Sequence, residues 1–379
     1  MKIGFLGDFF PTSTSGSIEI SDDLLTDYKK STILSILKNN NFNIVNLECP
    51  ITNSNNLILK SGPSVKASYD SIELLNIGNI KVASLANNHI KDFSEKGIDD
   101  TIDICSKNNI KTLGAGTQNN HLLKSIILNQ NSIKVGIISI AESEYNAWDD
   151  NCGTSSFDII DIYREIELLK LKVNHIIIFS HGGDEHDHYP NRHIRKMYRF
   201  LADLGVTAII GHHPHCLQGY EIYNNVPIFY SIGNFFFPQN RGFEQANYGI
   251  LVNFVFNDRT SDFEIFHFKQ CYTNYRVDLL EKEELDRQSN LFSEISKVIL
   301  VDDLIEKKWN KALENRIYSY TKSLLPINKF LFSILKKIGL LKFILNKQFL
   351  LVLLNNIRTK TRRENLISII KRLLTDKKK

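Results

Sequence analysis

Asn174-His175-Ile176-Ile177-Ile178-Phe179-Ser180-His181-Gly182-Gly183-Asp184-Glu185 carries the clearest fold signal in the chain. An apolar, β-branched run too short for a stable helix, stopped by glycines, reads as a buried strand that carries a histidine to its end. A second run of this kind, residues 206–210, ends in Gly211-His212-His213-Pro214-His215. Seven of the chain's eleven histidines lie between Ser180 and Cys216. Neutral imidazoles at strand ends, with carboxylates nearby, are a donor set that selects zinc, iron or manganese over calcium. A histidine-rich polar surface loop is the plainer alternative.

On either side of it, short apolar runs alternate with helix-period segments through the first two-thirds of the chain. The strand candidates are residues 3–6, 42–45, 81–85, 134–140, 174–179 and 206–210, and the helix candidates are 22–39, 69–78, 94–108, 158–172 and 191–204. That alternation is the pattern of an α/β sheet protein. Ser21 ahead of Asp22-Asp23, and Ser94 ahead of Glu95, offer N-cap oxygens and first-turn acids. After Gly211 the texture changes to strands over 217–223, 226–231, 248–256 and 262–268, which implies a second, largely antiparallel sheet. Asn224-Asn225 is a favourable turn for the first hairpin.

A chain of 379 residues with 42% apolar content can bury a full core. Five scattered cysteines (Cys49, Cys105, Cys152, Cys216 and Cys271) include no C-x-x-C pair, so no disulfide framework is expected. Met1-Lys2-Ile3-Gly4-Phe5-Leu6 runs straight into a strand, without the apolar stretch of a secretory signal. Both features lead to an expected cytoplasmic location.

The net charge of +4 conceals an asymmetry. Residues 320–379 hold 15 Lys+Arg and 2 Asp+Glu, a balance of +13, and the remaining 31 basic and 40 acidic residues give −9. From about Asp278 the periodicity also becomes helical, so the division expected is a catalytic-type domain over 1–277 and a basic amphipathic helical region over 278–379. In the tail, Phe330, Ile334, Ile338, Leu341 and Leu345 fall on one stripe edged by lysines. Such a stripe suits the surface of an anionic bilayer, so peripheral attachment at the inner membrane face is expected through 320–379. Packing against the acidic body or a second subunit is an equal alternative. A nucleic-acid partner is not expected, because the tail lacks interleaved aromatics and an ordered basic motif.

Four polar clusters sit where strands give way to loops, the preferred ligand position in α/β sheets. Asp8, after the first strand, can ligate a metal or cap a turn. Glu48, in Asn46-Leu47-Glu48, can bridge ions or stand on a surface loop. In Ala86-Asn87-Asn88-His89-Ile90-Lys91-Asp92, an amide oxygen can ligate while His89 acts on substrate and Asp92 holds its tautomer. Asn-Asn is equally ordinary turn chemistry. The fourth cluster joins His181 and Glu185 with His213 and His215.

These motifs, with Gly114-Ala115-Gly116 and Tyr230-Ser231-Ile232-Gly233-Asn234-Phe235, appear in an order that resembles the CapA family of capsule and poly-gamma-glutamate synthesis proteins. That family is similar in turn to calcineurin-like metallophosphoesterases. The resemblance covers about residues 1–240. It implies a four-layer αββα sandwich of the metallophosphoesterase type, here with a C-terminal helical extension. It also implies one or two divalent ions (Mn, Zn or Fe) held by Asp8, Glu48, Asn88, His181, His213 and His215. His89 would then be a general acid or phosphate contact and Asp92 its orienting partner, with Glu185 and Asn234 assigned to substrate. His212 and Cys216 are left as bystanders by the spacing.

The departures matter. The phosphoesterases carry Asp-x-His in the first motif, whereas Asp8 is followed by Phe9 and Phe10. Their second motif has a Gly-Asp pair where Asn46-Leu47-Glu48 stands here. One expected metal ligand is missing. The implied activity is hydrolysis of a phosphoester during assembly of a capsule or other cell-surface polymer, with a phosphorylated or glycan-polymer intermediate as partner. The competing readings are a non-hydrolytic assembly factor that binds a phosphorylated or glutamyl intermediate, and a nuclease or nucleotide phosphoesterase that uses the basic tail.

Overall fold

Successive side chains on a strand point to opposite faces, and this period of two builds the layers. In His175–His181, Ile177 and Phe179 enter one core while Ile176 and Ile178 enter another. Ala208–His212 does the same, with Ala208 and Ile210 on the first side and Ile209 on the second. Both strands are buried on both faces, which is why their sequences read as continuous apolar runs.

A computed structural model describes residues 1–379 apart from 14–15, 149–150, 240–241, 271–273, 326 and 377–379. Its first large sheet has the order Val277–Leu279, Ser261–Gln270, Tyr248–Phe256, Lys2–Phe9, Phe42–Leu47, Val82–Ser84, Lys111–Leu113, with Asn234–Phe236 also paired to Lys2–Phe9. The second runs Tyr220–Tyr223, Val226–Phe229, Ala208–His212, His175–His181, Ile133–Ala141, Ser125–Gln130. One core draws Ile3, Phe5, Ile44 and Phe254 from the first sheet and Ile177, Phe179 and Ile210 from the second. The other face of the first sheet packs on helices that include Asp22–Lys29, Ile72–Ile77 and Ser94–Lys107 through Leu24, Leu75 and Ile98. The second sheet is covered by Ile159–Lys170 and Arg192–Asp203 through Ile166 and Leu201. Helix, sheet, sheet, helix is the four-layer αββα sandwich expected. Burying each Ile, Leu or Phe in these cores contributes about 1.5–3 kcal/mol.

Three local expectations change. The late strands do not form a sheet of their own: Tyr248–Phe256 extends the first sheet antiparallel to Lys2–Phe9, and Ser261–Gln270 pairs antiparallel to Tyr248–Phe256. Val226–Phe229 instead joins the second sheet parallel to Ala208–His212, bringing Tyr220–Tyr223 with it. The hairpin between those two does turn at Asn224-Asn225, both with positive φ (49° and 65°). Ser21 caps Asp22–Lys29 as its sequence suggested, accepting from Leu24 N at 3.2 Å, but Ser94 lies inside its helix rather than at the cap.

The chain divides into compact units at Met1–Trp309 and Asn310–Lys379, later than the 277/278 boundary expected where the sequence pattern turns helical. Helix Lys282–Ile299 is highly charged, yet its Phe292, Ile295 and Ile299 are core residues of the first unit. Within the second unit lie helices Lys329–Lys337, Leu341–Ile344, Lys347–Arg358 and Lys360–Asp376. Asn328 and Asn346 cap the first and third, accepting from Leu331 N at 2.8 Å and Phe349 N at 2.9 Å. Among the described residues no helix is long and apolar enough to cross a membrane. Cys49, Cys105 and Cys216 are free and buried, Cys152 is buried as well, and Cys271 lies outside the described residues.

Candidate metal centre

Strand parity also builds the site. In Phe42–Leu47, Ile44 points between the sheets and Val45 and Leu47 point outward, so alternation turns Asn46 inward. Lys2–Phe9 would turn Asp8 outward by the same count, because Ile3 and Phe5 are inward and Leu6 outward. The pairing register with Phe42–Leu47 is broken between Phe5 and Asp8, and Phe9 then packs outward, so the irregularity re-aims Asp8 between the sheets. Gly7 sits in this irregularity, where a Cβ would lie 1.7 Å from Gly233 O. Only glycine permits that approach.

Register then lines up the donors. Asp8 lies opposite Asn46 on one neighbouring strand and opposite Asn234 on the other. On the second sheet His181 lies opposite His212, and both continue the inward parity of Phe179 and Ile210. Beyond the strand end, His213 (φ 102°) and His215 (φ 56°) adopt left-handed backbone, a conformation concentrated at functional sites.

Asp8, fully buried, is the hub. Its Oδ1 accepts from Asn46 Nδ2 at 2.8 Å and lies 3.1 Å from His212 Nδ1; its Oδ2 accepts from His213 N at 3.1 Å and lies 3.3 Å from His215 Nδ1. Glu48, also buried, places Oε1 3.8 Å from His181 Nε2 and 3.6 Å from His215 Nε2. Asn88 Oδ1 is 3.1 Å from His181 Nε2. One donor atom from each of Glu48, His181 and His213 lies within 4.8 Å of the others, and the same holds for Asp8, Glu48 and His215. The six ligand candidates therefore share one neighbourhood.

Burial opposes charge on Asp8, but hydrogen bonding from His212 and His215 overrides it and holds the carboxyl well below its usual range. Burial, with His213 alongside, pushes the His181 imidazole well below its usual value; burial, with His215 alongside, pushes His213 down to about 4. The centre thus pairs an ionised carboxylate with neutral imidazoles, the protonation state a divalent cation needs. His213 Nδ1 and His212 Nε2 are buried without a hydrogen-bond partner among the described residues. An unpartnered buried nitrogen is costly by itself, and a cation ligated at His213 removes the cost there. The donor set fits a borderline transition metal.

The cluster opens on a cavity of about 670 Å³ whose wall includes Glu48, Asn88, His89, Glu185 and His215. His89 Nδ1 lies 2.8 Å from Asp92 Oδ2, and Asp92 is fully buried. Glu185 is exposed at the cavity wall, where it shares a possible ligand set with His213 and His215. Asn234 does not reach the cavity wall. It is buried, with Oδ1 2.9 Å from His215 Nδ1 and Nδ2 donating to Ala246 O at 3.0 Å, so it orients a ligand candidate instead of meeting substrate.

Three residues that sequence reasoning passed over or set aside enter the site, and Phe10, which it noted only as a missing ligand, lines the cavity beside them. His212 is no bystander, with Nδ1 3.0 Å from His181 Nδ1 and 3.1 Å from Asp8. The signal was present, since Ala208, Ile210 and His212 share one strand face. Asn46 bridges Asp8 and His181 Nδ1 (3.2 Å), and its Oδ1 accepts from Asn87 Nδ2 at 3.1 Å. Lys60 reaches in from an irregular segment to bond Asp92, with Nζ 3.5 Å from His89 Nδ1. Nothing periodic marks it in the sequence. Phe10, where the phosphoesterase pattern has histidine, stacks on Phe237 at 4.4 Å and lines the cavity.

The sequence is 30% identical over 206 residues to the PGA biosynthesis protein CapA of Bacillus subtilis (strain 168), covering 53% of this chain and 54% of that protein. It is 26% identical over 250 residues to the capsule biosynthesis protein CapA of Bacillus anthracis, covering 63% and 60% respectively. The match thus spans little more than half the length of either relative. A solved structure of a putative 5'-nucleotidase from Staphylococcus aureus aligns at 14% identity and TM-score 0.43, covering 78% of this chain and 58% of that one. Residues 2–239, which carry every strand-end cluster described above, match the bacterial capsule synthesis protein family PGA_cap, and the chain belongs to that family.

Proposed function

We propose that the chain is a metal-dependent hydrolase of a phosphoester, acting on a phosphorylated or glycan-polymer intermediate in the synthesis of a capsule or other cell-surface polymer. The observation that carries this reading is one cavity whose wall joins Glu48, Asn88 and His215 of the buried carboxylate–imidazole cluster to His89, which Asp92 holds from behind. Asp8, Glu48, Asn88, His181, His213 and His215 would hold the cation, with His212 and Asn46 fixing Asp8. When bound, a divalent cation neutralises phosphoryl oxygens and acidifies water.

The chain's own groups supply the rest. Asp92 holds His89 by Nδ1, which leaves Nε2 toward the cavity. Protonated, His89 gives a proton at Nε2 to a leaving oxygen; neutral, it orients an incoming hydroxyl. Lys60 balances the buried charge of Asp92 and adds a cation to the wall facing an anionic substrate.

Phe10 favours a second reading, a binding factor for a phosphorylated or glutamyl intermediate, because an apolar ring stands where a further nitrogen ligand would serve a second ion. Turnover of an aryl phosphate with added Mn²⁺ separates the two. The hydrolase reading predicts turnover that falls at least about 100-fold in Asp8→Asn and His181→Ala. Variants that keep wild-type turnover, or no turnover with metal demonstrably bound, would leave the binding factor.

A further inference from the structure

We propose that residues 329–376 form a docking surface for an anionic lipid bilayer, with their short helices lying in the membrane interface. Helix Lys347–Arg358 consists mostly of large apolar residues, yet it buries none of them. Phe349, Leu350, Leu351, Val352, Leu354 and Ile357 are all exposed. In helix Lys329–Lys337, Phe330 is 76% exposed, and in Lys360–Asp376 Ile367, Ile369 and Ile370 are exposed as well. An exposed apolar surface this extensive marks an interaction face.

Charge identifies the occupant. Residues 329–376 carry 11 Lys+Arg against 2 Asp+Glu, a balance of +9. Lys336, Lys337, Lys347, Arg358 and Arg362 are exposed among the apolar side chains. Apolar side chains that enter the acyl boundary, with cations that meet anionic headgroups, are the two attractions of an interfacial helix. A second copy of the face would bring +9 against +9. A nucleic acid would satisfy the cations and leave the aliphatic side chains in water. The helices here have 9, 4, 12 and 17 residues, short of the roughly 20 apolar residues a span requires.

The test is co-sedimentation of the full chain with phosphatidylcholine vesicles that contain or lack phosphatidylglycerol. Binding is expected only with the anionic lipid, and weaker at high salt. Arg358→Gln with Arg362→Gln should weaken it about 25-fold, at roughly fivefold per cation. Phe330→Ser with Leu351→Ser should weaken it at least about tenfold, with circular dichroism unchanged because both side chains face solvent. Absent binding, or binding that neither pair weakens, overturns the proposal. So does a concentration-dependent dimer that the Phe330→Ser, Leu351→Ser pair dissolves, or tighter binding to an RNA oligonucleotide than to anionic vesicles.

Discussion

Asn46→Ala removes a side chain that touches no cavity wall and yet should damage the metal centre. Asp8 is completely buried, and its Oδ1 depends on Asn46 Nδ2 at 2.8 Å and His212 Nδ1 at 3.1 Å. A hydrogen bond to a charged group is worth about 1.5–3 kcal/mol, and a buried carboxylate cannot replace it with bulk water. The same amide positions His181, whose Nδ1 lies 3.2 Å away, and it is fixed in turn by Asn87. At about 1.4 kcal/mol per factor of ten, the loss converts to roughly 10–100-fold weaker metal binding, the usual range for a residue that orients ligands. Titration of Mn²⁺ against a fluorescent chelator measures it directly. Asn76→Ala, at an exposed asparagine, serves as the control. A folded Asn46→Ala protein that binds metal within twofold of wild type would refute the argument that Asp8 is held from behind.

Other consequences are cheaper to check. Folded His213 has its proton affinity lowered to about 4 from 6.5, so the unfolded chain binds more protons between those values. Stability of the metal-free protein should therefore fall as pH falls from about 6.5 to about 4, by up to about 3 kcal/mol from this group. Calorimetric Tm after chelation tests this; His213→Gln should flatten the slope, and an unchanged slope contradicts the assignment. Lys60→Met should raise KM for an aryl phosphate about tenfold with a smaller change in kcat, and Lys60→Arg should recover part of it. Equal KM values would remove Lys60 from the substrate wall. Phe10→His should raise the number of metal ions bound per chain, measured by mass spectrometry of the dialysed protein, and an unchanged count would mean that Phe10 does not limit occupancy.

What could be read from sequence followed strand periodicity. Residues 174–179 and 206–210 announced buried parallel strands, and the polar groups at their ends converge as expected because parallel strands all end at one edge. The clusters that hold Asp8, Glu48, Asn88, His181, His213 and His215 were legible for that reason, and the family resemblance singled out these six within them. Other features depended on facts with no local signature. The irregularity that turns Asp8 inward comes from Gly7 meeting Gly233, which is 226 residues away in sequence. Lys60 belongs to a segment without helix or strand period, so only its contacts reveal it. Asn234 follows a strand like the other site residues, but pairing with Lys2–Phe9 on one side and His215 on the other buries it. The charged helix Lys282–Ile299 falls with the C-terminal helices on its helical pattern, although its three core residues tie it to the sandwich.

The most direct test of the metal centre is an anomalous difference map from crystals grown with Mn²⁺ or Zn²⁺, collected at the absorption edge of the added metal. A peak is expected within ligand distance of Asp8, Glu48, His181, His213 and His215, at the head of the cavity lined by His89. A map without a peak there, or with the metal bound only elsewhere on the chain, would contradict it.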